Sequence, residues 1–229
     1  MTPEATIALF QFADGLFPAG AYAHSFGLEA YVARGIVQDA ESVERFLRAH
    51  LQGSAGPTDA VALVGALRAA AAGDLARCLE IDALVDAMKP ASELRDASRQ
   101  MGRQTARIAD AIIEQPVVRE FARLASAGVT PGHHCVAFGI AGGAQGWPLY
   151  EAAAAYLYSS TAAIVGAALR LILLGQLKGQ TIIRNLTPLI GVLADDASRK
   201  GVADMAGFAP GLEIASMRHA AMDGRMFRS

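Results

Sequence analysis

Apolar residues recur at three- and four-residue intervals along nearly the whole chain, the spacing of helices with one buried face. Alanine and leucine dominate, and runs of β-branched residues are short, which favours helix over strand. Breakers divide the pattern into about ten segments. A first helix is predicted near Pro3 to Phe12, followed by a loop at Asp14 to Gly20 and a helix from Ala23 to Arg34 stopped by Gly35. Asp39 reads as the N-cap of a helix ending near Gln52, and Gly56 to Asp59 starts another that ends at Gly73. Asp74 to Met88, Ser92 to Glu114 and Pro116 to Ala127 follow, before a loop at Gly128 to Gly132. Helices at His134 to Ala144, Leu149 to Leu174 and Thr181 to about Lys200 come next, with Pro188 expected to kink or break the last. A short helix after Gly207 to Gly211 and a tail close the chain. No repeat, low-complexity linker or change of composition marks a second domain. The expected fold is an all-α, single-domain helical bundle of about ten helices.

Composition sharpens this picture. Of 229 residues, 53% are hydrophobic and only 18% charged, with a mean hydropathy of +0.30. A bundle this apolar implies surface covered by a partner or a second copy. The net charge of −2 lacks the positive field of a nucleic-acid binder. Cys78 and Cys135 are the only cysteines, too few for a disulfide framework, so a reducing compartment is expected. The N-terminus carries Glu4 and has no basic region of a signal peptide. Ala152 to Leu169 is uncharged and long enough to raise a membrane span, but it is mostly alanine, with tyrosine, serine and threonine interspersed. A buried helix is the expectation.

Three stretches superficially suggest chemistry. Ala23 to Gly27, AHSFG, is one residue short of a Gly-x-Ser-x-Gly nucleophile elbow, which would make Ser25 the nucleophile of a small helical hydrolase. That elbow needs a buried strand ahead of the turn, and a Pro/Gly loop stands there, so Ser25 reads instead as a residue bonding local backbone. Gly175 to Thr181, GQLKGQT, has Lys178 before the second glycine instead of after it, which spoils a phosphate loop. His133, His134 and Cys135 offer nickel or zinc ligand types, but consecutive helical residues point apart and do not enclose one ion. Neither a catalytic group nor a metal site is expected.

Two further patterns concern surfaces. Arg95, Arg99, Arg103 and Arg107 descend one helix face at four-residue steps, a solvated face or a docking stripe for an acidic partner. The tail from Met217 to Ser229, MRHAAMDGRMFRS, combines Met, Arg and Phe anchors with little intrinsic support. It reads as a segment ordered by a partner, or alternatively as one docked on its own core.

Three separated stretches together resemble the urease accessory protein UreF family. They are Phe12 to Gly35 (FADGLFPAGAYAHSFGLEAYVARG), Val136 to Gly146 with Ala167 to Gln180 (AALRLILLGQLKGQ), and the terminal Phe-Arg-Ser preceded by Met217 and His219. They occur in the family's order across nearly the whole chain. Ala220, Met226, Leu177 and Lys178 depart from the residues common in the family. The resemblance implies an all-α cytoplasmic chaperone that forms a homodimer. Its implied role is a scaffold between UreD (also called UreH), the GTPase UreG and urease apoprotein, with no nucleic acid or membrane involved. It implies no stably bound cofactor: nickel is handled transiently by the complex, and GTP sits on UreG. Carried over by position, the partner-binding residues are Pro18, Gly20, Ser25, Gly27, Leu28 and Glu29 in the first block. Arg170, Gly175, Gln176, Gly179 and Gln180 form the second, and Arg225, Phe227 and Arg228 belong to a UreD-binding tail.

Overall fold

The computed structural model describes residues 2–229. Among them are eleven α-helices and no strand: α1 (Pro3–Ala13), α2 (Leu28–Ala33), α3 (Ala40–His50), α4 (Val61–Ala71), α5 (Leu75–Ala87) and α6 (Ser92–Ile112), then α7 (Pro116–Ser126), α8 (His134–Gln145), α9 (Leu149–Leu171), α10 (Gln176–Arg199) and α11 (Pro210–His219). The all-α expectation holds. Local chemistry fixes many of the ends. Asp39 and Ser42 form a reciprocal capping box at the start of α3, with Ser42 N donating to Asp39 Oδ1 at 2.9 Å and Asp39 N to Ser42 Oγ at 3.1 Å. Asp74 caps α5 through the Arg77 amide at 2.9 Å. Pro116 occupies the first turn of α7, where its missing N–H is harmless.

Three boundaries differ from those read in the sequence. The helix expected over Ala23 to Arg34 is confined to α2, because Phe26 and Gly27 take positive φ of 55° and 85° and interrupt it. The break expected between Gln52 and Gly56 is absent: α3 passes into α4 through a π-helical stretch, Leu51–Ala60, which contains Pro57. Pro57 has no N–H to give the π-helical ladder, which runs to the carbonyl five residues earlier. The loop ahead of α11 lies along this stretch, with the Phe208 amide donating to Gly53 O at 2.8 Å and the Ala206 amide to Pro57 O at 3.2 Å. Pro188, expected to kink or break its helix, sits inside a continuous α10 that also starts earlier than predicted, at Gln176. Its side is exposed, so the unpaired Arg184 carbonyl can turn to water.

One continuous core joins these helices, with Phe121, Phe138, Leu63, Ile140, Leu157 and Ile164 fully buried in it. Helix α8 is central and lies hard against α4. A Cβ at Gly139 would overlap the Leu63 carbonyl, and one at Gly143 the Leu67 carbonyl, so only glycine permits that approach. Helix α9 is long and apolar enough by composition to cross a membrane, yet half of its apolar window is buried within the protein. Its other face borders a cavity of about 1060 Å³ beside the Asp14–Gly20 loop. The sequence reading leaves two homes for the tail, a partner or the chain's own core. In the isolated chain it lies on the core, with Phe227 and Ser229 only 4% and 1% exposed.

Candidate functional site

The tail meets the N-terminal block. Gly20, at φ 91°, turns the chain into a single 3-10 turn at Ala21–Ala23. The left-handed Phe26 and Gly27 then direct successive amides to one point. There the Ser25 and Phe26 amides donate to Ser229 O at 2.6 and 3.1 Å, and Ser25 Oγ donates to the same oxygen at 2.8 Å. The Arg228 amide returns a bond to Ala23 O at 2.9 Å. A Cβ on Gly27 would lie 3.6 Å from Leu212 O, so the glycine is required here for its φ and not for space.

Glu29, in the first turn of α2, holds the middle of the tail. Its Oε1 accepts the Met226 amide at 2.7 Å, and its Oε2 accepts the Phe227 amide at 3.0 Å and faces His219 Nε2 at 2.8 Å. Burial pushes the Glu29 carboxyl upward, but the bonds from His219 and the two amides outweigh it and leave its pKa below the usual value. On its other side His219 Nδ1 lies 2.8 Å from Glu93 Oε2, and Glu93 Oε1 accepts Arg225 Nη1 at 2.6 Å. The Arg170 guanidinium lies between the Tyr22 ring (3.7 Å to its centroid) and the Phe227 ring (4.2 Å), and donates to Tyr22 O at 2.7 Å. His24 Nδ1 is 2.9 Å from Ser229 Oγ. Burial, and then the nearby Arg228 charge, lower its pKa to about 4, so the ring is neutral.

Of the carried-over residues, Ser25, Gly27, Leu28, Glu29, Arg170, Arg225, Phe227 and Arg228 therefore gather in one region. Pro18 and Gly20 line the neighbouring cavity instead. Gly175, Gln176, Gly179 and Gln180 lie apart, at the start of α10. Gln176 and Gln180 are exposed there, whereas Gly179 is buried, its absent Cβ leaving room for Val165 and Leu169 of α9. The sequence reading missed Tyr22, His24 and Glu93 as members of the site. The first two lie within its leading block. Glu93 is 126 residues from His219, and no local pattern connects them.

The other sequence candidates resolve into structural roles. Ser25 is fully buried and its hydroxyl is committed to Ser229, an arrangement at odds with a nucleophile, which must be presented to substrate. His133, the N-cap of α8, and His134, its first residue, bond different partners. His133 bonds Ser98 and Asp86, each at 2.9 Å, and His134 lies 3.1 Å from Thr105. Among the described residues no three His, Cys, Asp or Glu side chains are grouped to hold a metal ion. The arginine stripe divides: Arg99 binds both oxygens of Asp86 at 2.7 and 2.9 Å and Arg95 donates to Lys89 O at 3.0 Å, while Arg103 and Arg107 face solvent.

Comparison with known proteins places this geometry in a family. The UreF family model matches residues 37–187. The urease accessory protein UreF of Arthrobacter sp. (strain FB24) is 33% identical over 97% of this chain and 96% of its own length. That of Paenarthrobacter aurescens (strain TC1) is 32% identical over the full length of both, and UreF 2 of Brucella abortus (strain 2308) is 32% identical over 96% of this chain and 90% of its own. The family model leaves out Ser25–Glu29 and the tail, which the full-length match to the Paenarthrobacter relative spans. With a third of its residues shared across almost all of its length, the chain is a member of the UreF family.

Proposed function

We propose that this protein is a non-catalytic accessory chaperone of urease maturation, acting as a scaffold between UreD (UreH), the GTPase UreG and urease apoprotein while nickel is inserted. The near-full-length similarity to urease accessory proteins carries this reading. Exposed apolar side chains support this reading. Leu16, Tyr22, Leu173, Leu177 and Phe208 are exposed apolar side chains, each with more than three quarters of its surface open. The docked tail adds Met226, 61% exposed, next in sequence to Phe227, whose ring lies against the Arg170 guanidinium. In this reading nickel is cargo and GTP belongs to UreG, while this chain, as a homodimer in the cytoplasm, supplies the fitted surface and influences the GTPase by contact alone.

The test is co-purification of the full chain with its UreD and UreG counterparts, alongside urease activation in cells deleted for it. A complex of all three, and urease left without active sites in the deletion, is the expected result. Undiminished urease activation without this chain would overturn the proposal.

A further inference from the structure

The cavity beside α9 has a polar patch that the tail bonds do not use. His50 ends α3, Asp59 lies in the π-helical stretch, Lys89 follows α5, His134 starts α8, and Tyr156 and Ser160 stand on α9; all six line the cavity of about 1060 Å³. They adjoin one another. Lys89 Nζ donates to Asp59 Oδ1 at 2.7 Å, with each side chain only 12% exposed. The Tyr156 hydroxyl is 3.5 Å from Asp59 Oδ2, the His134 and Tyr156 ring centroids are 5.4 Å apart, and His50 Nε2 is 3.5 Å from Ser160 Oγ. Aromatic side chains, among them Phe12, Phe17 and Phe26, line other parts of the same cavity.

Much of the hydrogen-bonding capacity of this patch is unspent. An ammonium has three N–H donors, and among the described residues Lys89 spends one, on Asp59. Asp59 Oδ2 has only the Tyr156 hydroxyl, at the outer limit of a hydrogen bond. Burial drives the pKa of His50 and of His134 down to about 4, so both rings are neutral, each with one N–H and one lone pair. Buried polar groups are nearly always paired. The charges, by contrast, are already balanced, one ammonium against one carboxylate. An entering ion would bring a charge with nothing to oppose it, a cost that a neutral polar molecule avoids. Lys89 and Asp59 present a donor and an acceptor side by side. The complementary edge is a carbonyl oxygen next to an N–H, that of a carboxamide, and the aromatic lining suits an apolar body. We propose that the cavity binds a small neutral carboxamide with an apolar body, its carbonyl accepting from Lys89 Nζ and its N–H donating to Asp59 Oδ2. The site stands or falls independently of the role in urease maturation.

Benzamide, titrated into the full-length protein by calorimetry and by NMR at neutral pH, tests it. Saturable binding is expected, with chemical-shift changes concentrated at His50, Asp59, Lys89, His134 and Tyr156. Benzoate and benzylamine carry the same ring with a charge of either sign and should bind at least about tenfold more weakly. Toluene, which has no polar edge, should be weaker by a similar factor. Lys89→Met would strip Asp59 of its partner and endanger the fold, so the cavity is narrowed instead. Ser160→Leu sets a branched side chain beside His50 and should weaken benzamide at least about tenfold while the thermal melt stays cooperative. No saturable benzamide binding, shifts confined to other parts of the molecule, equal affinity for benzoate, or unchanged affinity in folded Ser160→Leu would overturn the proposal.

Discussion

Two seams of this molecule are built on opposite principles. Where α8 lies on α4, glycines at 139 and 143 bring backbone against backbone, and the surrounding side chains are apolar and fully buried. Where the tail lies on the N-terminal block, few apolar groups are covered and the contact is a set of directed bonds to Glu29, Glu93 and the Ser25–Phe26 amides. The first seam is dispersion and water exclusion, insensitive to pH and separable only by unfolding. The second rests on a small number of directed donors and acceptors.

Substitutions should separate the seams. The largest effect is expected for Gly143→Val, whose Cβ would strike the Leu67 carbonyl with backbone on both sides. Global stability in denaturant titration should drop by about 3 kcal/mol or more. Glu29→Ala removes the acceptor for two amides and one side of His219, and should weaken tail docking by about 2–3 kcal/mol. That loss should appear as faster exchange confined to the tail, with much less change in the cooperative melt. If Glu29→Ala instead lowered the whole transition as much as Gly143→Val, the two seams would be one cooperative unit.

Acid gives a smaller effect with a definite sign. The Glu29 carboxyl is held below its ordinary value in the fold. Its contribution is therefore complete above that ordinary value and is lost as the pH falls through the lower, folded one. Tail protection should decline only below the ordinary carboxylate range in the wild type, and this decline should vanish in Glu29→Gln. The smallest effect belongs to Gln180→Ala on the exposed start of α10, which should alter stability by no more than about 0.5 kcal/mol. A reduced yield of the complex with UreD and UreG in that variant would mark α10's first turn as a contact surface separate from the tail site.

The sequence was most legible where a single residue determines local geometry. Asp39, Asp74 and Pro116 announced their helices correctly, and the apolar spacing announced the bundle. It misled where a distant segment corrected a local defect. Gly53 and Pro57 look like helix breakers, yet the helix passes through them, with the Phe208 and Ala206 amides from far along the chain bonded to their carbonyls. The same limit applies to the site. Ser25, Glu29, Arg170 and Phe227 were found through a resemblance, and their spacing alone said nothing of their meeting. Glu93 sits in an ordinary amphipathic helix and gains its role only because α11 brings His219 to it. Pairings across more than a hundred residues leave no periodic trace in a chain.

The central claim is that the tail belongs to the fold and completes one site with the N-terminal block. Amide exchange of Met226 and Phe227 in the isolated full-length protein, on the acid side of neutrality, tests it most directly. Exchange slowed well below the rate of an unstructured peptide before any partner is added is the predicted result; exchange at the free-peptide rate, slowed only when a partner binds, would contradict it.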